Sequence, residues 1–190
     1  MNTNFLNSLT NFLKKRTFEF VGLVLISLGI ALTISFATYS PSDPSLIYGE
    51  SNSNIKNFFG IYGSKVSDFL LQSFGLISFL ILATLISWGL KLFIDKELKN
   101  IIYKLFFLTL YLIFGCTFLH MTFNNSFWLL DNGNSGFIGE LIYNFIYQYT
   151  PLIENQYTSF ALIALTILFF ILSSDINFKK IVSKLFSFSS

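Results

Sequence analysis

Four stretches of this chain run for about 20 residues without Lys, Arg, Asp or Glu, and they decide what it can fold into. They are Phe20–Thr38, Leu70–Leu90, Leu105–Phe123 and Thr158–Ser173. A helix rises about 1.5 Å per residue and a bilayer's hydrocarbon core is about 30 Å thick, so each stretch is long enough, or nearly so, to cross. Composition agrees: 53% of the 190 residues are hydrophobic and 12% are charged. A soluble domain carries about 25% charge, so too little polar surface is left to cover a water-soluble globule of this size. The expected fold is all-α, an integral membrane four-helix protein.

Basic residues near span ends stay on the cytoplasmic side. Lys14, Lys15 and Arg16 precede the first span, Lys91, Lys96, Lys99 and Lys104 surround the connection between the second and third, and Lys179, Lys180 and Lys184 follow the fourth. These hold ten of the twelve basic residues; only Lys56 and Lys65 fall in an outer loop. Both termini are therefore expected in the cytoplasm. The first stretch is longer than a secretory h-region of roughly 7–15 residues and lacks an A-x-A site, so it is expected to remain as an anchor. A membrane domain over residues 1–178 and the start of a cytoplasmic linker over 179–190 follow.

The two outer segments carry helical patterns of their own. Ile55, Phe58, Phe59, Tyr62, Val66, Phe69 and Leu70 recur at spacings of three and four within Ile55–Gln72, and Phe137, Leu141, Ile142, Phe145 and Ile146 do so from Gly136 onward. Both read as amphipathic helices at the outer membrane–water interface, with Trp128 in the headgroup belt. The run Asp131-Asn132-Gly133-Asn134-Ser135 before the second of them is made of turn formers. Each half thus has the plan span, turn-rich segment, helix with Gly-x-x-Gly near its start, span. Gly60 and Gly63 correspond to Gly136 and Gly139; coincidence in a short glycine-bearing chain is the other reading.

Chemistry is sparse. Ionisable groups at membrane depth mark pumps, channels and membrane enzymes, and the spans hold only His120, four residues after Cys116. A metal site wants three or four donors, so an interfacial histidine bonded to a neighbour or to water is expected, with Cys116 a small core residue. Glu19 is expected to pair with Lys15 and Arg16 at headgroup level. No nucleotide-phosphate loop or nucleophile elbow occurs, and basic residues are too few for a nucleic-acid surface. Catalytic, cofactor-binding and metal-binding residues are all expected to be absent.

One ordered series is more specific. Tyr39-Ser40-Pro41-Ser42-Asp43-Pro44 follows the first span; then come Asn57, Gly60 and Gly63, the run Asp68-Phe69-Leu70-Leu71-Gln72-Ser73-Phe74-Gly75, and Trp88-Gly89 before Lys91. Pro41 and Pro44 would end the first helix and hold an extended turn, Phe74-Gly75 would bend the outer helix into the second span, and Trp88 would sit in the inner aromatic belt. This series resembles the N-terminal four-helix membrane domain of the FtsK/SpoIIIE family of bacterial DNA translocases. It departs at Ile81-Leu82-Ala83, where many relatives carry a proline.

The resemblance implies a membrane anchor and assembly module for a DNA translocase of cell division and chromosome segregation. It implies placement in the bacterial inner membrane at the septum, and as partners membrane lipid, copies of itself as a homo-oligomer and other division proteins. It implies no nucleic acid bound by this segment, with ATP and Mg confined to a downstream motor. A small four-helix transporter or channel subunit is the alternative; it would need a polar pathway, for which the spans offer scattered Ser and Thr and Gln72. A lipid-modifying enzyme lacks the paired carboxylates it would need.

Overall fold

A computed structural model describes residues 3–46, 54–126, 128–129, 131–150 and 155–176. Among these every regular element is helical: α1 Thr3–Ala37, α2 Gly60–Phe74, α3 Ser78–Asp95, α4 Ile101–Phe123, α5 Gly136–Tyr149 and α6 Gln156–Ser174, with a single 3-10 turn, Gly75–Ile77, joining α2 to α3. Helices α1, α4 and α6 carry three of the apolar stretches, and the second, Leu70–Leu90, runs from the end of α2 through the 3-10 turn into α3. The four helical segments Asn7–Ala37, Gly60–Asp95, Ile101–Phe123 and Gln156–Ser174 are each long and apolar enough to cross a membrane. The chain is a multi-pass membrane protein. The proposed linker over 179–190 lies outside the described residues.

Helices α1, α4 and α6 are longer than their charge-free windows. Helix α1 starts well before Phe20 and takes Lys14, Lys15 and Arg16 into its own first half. Charge sets a limit on what lipid will accept, and helical backbone bonding continues past that limit. Helix α2 begins at Gly60, five residues after the expected Ile55, because Asn57 turns the chain just ahead of it: Gly60 N–H donates to Asn57 O at 2.9 Å.

The architecture repeats in two halves. Helix α1 lies along α3 and α4 along α6, the two most extensive pairings, while α2 and α5 meet each other beside them. Helices α2 and α5 each start on a glycine with positive φ, +61° at Gly60 and +65° at Gly136. Salt bridges from Glu19 to Lys96 and from Lys104 to Asp175 put the basic residues of α1, the α3–α4 connection and the end of α6 at one end of the bundle. We call this the basic end; α2 and α5 lie at the opposite one.

Apolar side chains meet in two clusters. Phe36, Tyr39, Leu71, Leu82 and Leu129 form one, with Trp128 against it; Ile77, Tyr111, Leu112 and Cys116 form the other. Trp128, half-buried, stands edge-on to Tyr39 at 5.4 Å and stacks on Phe79, so part of this ring is held by the protein. Helices α1 and α3 approach closely at Gly22 and Gly89, where a Cβ on Gly89 would sit 2.8 Å from Gly22 O. Backbones approach this closely in lipid only through small residues.

The hydroxyls that could have lined a path are mostly turned onto their own helices. Thr33, Thr84, Thr117 and Thr166 donate to the carbonyls four residues earlier at 2.7, 2.8, 2.8 and 2.7 Å. Within lipid this satisfies each hydroxyl without a partner helix.

Candidate functional site

The polar residues gather at the two ends of the bundle. At the end opposite the basic one they form a buried knot around the chain between α1 and α2. Asp43 N–H donates to Ser40 O at 3.0 Å, closing a four-residue turn with Pro41 at its second position. Proline's fixed φ suits that position, and the result is a tight turn in place of the extended one expected from the two prolines. The turn aims the Asp43 carboxylate at the chain entering α2: it accepts from Lys56 N–H at 3.0 and 3.1 Å and from Asn57 N–H at 2.8 Å. Pro44 O accepts from Ser64 Oγ at 2.7 Å.

Asn57 is the next link. Its Nδ2 donates to Ser35 O at 2.9 Å and its Oδ1 accepts from Phe59 N–H at 3.1 Å. Ser35 Oγ in turn donates to Gly63 O at 2.7 Å. A Cβ on Gly63 would lie 2.2 Å from Asn57 Oδ1, so glycine is what leaves room for the amide. Tyr39 OH donates to Asp68 Oδ1 at 3.1 Å, and Gln72 Nε2 donates to Tyr39 OH and to Asp131 Oδ2, each at 3.3 Å. Burial, and then the charge of Asp68, push the Tyr39 phenol well above its usual range, so it stays protonated and donates. Asn132 Nδ2 reaches Gln72 Oε1 at 2.9 Å, which ties the second loop into the first.

Phe74 and Gly75 complete the junction. Cys116 Sγ donates to Phe74 O at 3.4 Å and Leu76 N–H to Asn134 O at 2.9 Å. His120 Nδ1 lies 3.2 Å from Ser135 Oγ and its ring 4.8 Å from Tyr143. Cys116 and His120, one turn apart on α4, thus serve different neighbours.

Helix α2 turns its amphipathicity inside out. Gly63, Ser64, Ser67, Asp68, Leu71 and Gln72 are buried, whereas Phe58, just ahead of the helix, and Tyr62, Val66 and Phe69 are exposed, Tyr62 at 82%. The apolar spacing is legible in sequence; the internal contacts are carried by the second face, Ser64-Ser67-Asp68-Gln72 at helical intervals. The signal was there, since small polar residues at spacings of three and four also mark a packing face inside a membrane protein.

Trp88 and Gly89 belong to the other end. Trp88 is buried, and its Nε1 donates to Ser173 O at 2.8 Å. The ring is a bolt between α3 and α6; it does not stand in an aromatic belt, because the last carbonyls of α6 need donors. Ser87 Oγ donates to Ser174 O at 2.6 Å and Ser173 Oγ to Lys104 O at 2.9 Å. Asp175, left-handed at φ +58° just past α6, takes both Lys91 and Lys104. Glu19 pairs with Arg16 and, at 2.7 Å, with Lys96; Lys15 is not a partner, because α3 delivers a lysine to the same place.

The knot is a brace: its polar side chains bond to one another and to the backbone of the segments they join. Asp43→Ala would leave the N–H groups of Lys56 and Asn57 without their acceptor, with an expected loss of about 2 kcal/mol. Hydrogen exchange at those two amides should quicken while exchange in mid-α4 stays unchanged; uniform quickening would mean that Asp43 supports the whole bundle.

Residues 14–186 match the family described as the 4TM region of DNA translocase FtsK/SpoIIIE. The chain is similar to the DNA translocase FtsK of Rickettsia bellii (strain RML369-C), 30% identical over 83% of this chain and 20% of that protein. It is 32% identical to the DNA translocase FtsK of Rhizobium meliloti (strain 1021) over 72% of this chain and 15% of the relative. With that of Azospirillum brasilense it shares 29% identity over 49% of this chain and 15% of the relative. The chain spans a fifth or less of the length of these relatives. No solved structure matches it.

Proposed function

Because the chain belongs to the family of four-helix membrane regions of FtsK/SpoIIIE DNA translocases, we propose that it anchors and helps assemble such a translocase at the division site. The observation that carries this reading is the family match across residues 14–186, which takes in all four spans and both polar clusters. In this reading the basic end faces the cytoplasm of a bacterial inner membrane, as the concentration of Lys and Arg there favours. The exposed apolar sides of α2 and α5 then meet lipid at the outer interface. ATP, Mg and DNA are handled by motor sequence outside this segment. Partners of this segment are lipid, further copies of the chain and other division proteins in the membrane.

Fusing a fluorescent protein to the full-length native polypeptide tests the role directly. Enrichment at mid-cell in dividing cells, retained by this membrane segment alone, is expected. An even distribution around the envelope would remove the division-site role while leaving family and fold untouched.

A further inference from the structure

A polar cleft of about 660 Å³ opens at the basic end between α3, the α3–α4 connection, α4 and α6. Its volume falls within the range of small-molecule sites, roughly 300–1,000 Å³. The lining is unusual in being divided by sign. On the α6 side Lys91 and Lys104 share one carboxylate, Asp175, leaving that wall with two positive groups against one negative. On the side of the connection Asp95 and Glu97 face one lysine, Lys99, which lies 3.1 Å from Glu97. Lys96 is engaged with Glu19. Among the described residues Asp95 has no ion-pair partner. Among the described residues the lining therefore has a positive pole and a negative pole and little net charge, and Phe107 and Leu172 supply apolar lining.

A dipolar cleft is complemented by a dipolar ligand. Lys91 and Asp95 are four residues apart on α3, which places their Cβ atoms about 5–6 Å from each other. Two carbons between a phosphate and an ammonium bridge a gap of that order. We propose that the cleft binds the headgroup of phosphatidylethanolamine, its phosphate toward Lys91, the more exposed of the two lysines, and its ammonium toward Asp95 and Glu97. A primary ammonium brings three N–H donors to those carboxylates; a trimethylated choline brings none. An anionic glycerol headgroup satisfies the lysine wall and leaves the opposite wall unpaired. The apolar lining and the position at the ends of membrane-spanning helices favour a lipid over a free phosphoethanolamine. The proposal rests on the four-span fold and on the basic end lying at headgroup level, and is independent of any role at the division site.

Native mass spectrometry of the purified chain, offered equal amounts of phosphatidylethanolamine, phosphatidylcholine and phosphatidylglycerol with matched acyl chains, tests it. Bound phosphatidylethanolamine should exceed each of the others about tenfold, the worth of a charge-assisted hydrogen bond. Changing the exposed pair together, Asp95→Asn with Glu97→Gln, should abolish that preference and raise phosphatidylglycerol, with circular dichroism and thermal unfolding unchanged. Equal occupancy by the three lipids, a wild-type preference for phosphatidylglycerol, or a preference unaltered in the double variant would overturn the site. Displacement of the lipid by soluble phosphoethanolamine at equal concentration would overturn its assignment to a lipid.

Discussion

Alanine in place of Gly75 is expected to cost about 4 kcal/mol or more, enough to take a protein of ordinary stability close to unfolding. Two terms add. Gly75 has φ +57° with ψ −142°, a conformation kept almost wholly to glycine that costs a residue with a Cβ about 1–3 kcal/mol. Its added carbon would also lie 1.9 Å from Asn134 O and 2.7 Å from Ser135 C. Those are backbone atoms, held by Leu76 N–H donating to Asn134 O, so no side-chain rotation relieves the overlap. The junction between α2 and the loop ahead of α5 has to open, and overpacking of this kind costs about 1–3 kcal/mol or more. Gly60 supplies the internal control. It has φ +61°, yet a Cβ there would meet nothing within 4 Å. Gly60→Ala should therefore lose about 1 kcal/mol, the conformational term alone. Unfolding of both variants in the same detergent, followed by circular dichroism, sets positive φ in open space against positive φ with a close approach; equal losses would mean that neither the conformation nor the close approach at Gly75 constrains the fold.

That contrast explains how much could be read beforehand. Charge-free windows and basic flanks locate four spans because lipid imposes a one-dimensional test that each window passes or fails by itself. The bend at Phe74-Gly75 was legible too, since glycine inside a helical pattern has few other uses. What the chain could not disclose was which residues meet across the fold. Asp43 and the N–H groups of Lys56 and Asn57 are a loop apart, and Gln72 finds Asn132 sixty residues away. Trp88 shows the same gap: an indole near a lysine at a span end suits a headgroup belt, and only the position of α6 makes it a bolt to Ser173. In α2 the difficulty was polarity itself. In water the apolar face of a helix goes inside, whereas beside lipid both faces are candidates, and here the small polar face was the one that packed.

The basic end gives the second large effect, at Asp175. Lys104 is 6% exposed and its ammonium rests on the Asp175 carboxylate, with Lys91 on the same oxygen. Asp175→Asn keeps the shape and removes the charge, leaving the Lys104 ammonium buried without its counter-ion. Losing one partner of a fully buried pair costs about 3–5 kcal/mol. The Asp175 side chain is 38% exposed, so water screens part of this and about 2 kcal/mol is expected. Adding Lys104→Met removes the stranded charge and should recover most of the loss, a coupling that a double-mutant cycle reads directly. Acidity gives an independent check. Burial works against the charged form of Asp175, but hydrogen bonds from Lys104 and Lys91 outweigh it, and the carboxyl is held below its ordinary value of 3.8. A group depressed in the folded state stabilises above its unfolded pKa, about 3.9, and that contribution fades as pH falls through the lower folded value. The stability gap between wild type and Asp175→Asn should therefore be constant above about pH 5 and close in more acidic solution. A gap that persists at low pH would show that Asp175 acts through the shape of the left-handed turn after α6, and that its charge does little to hold α4 against α6.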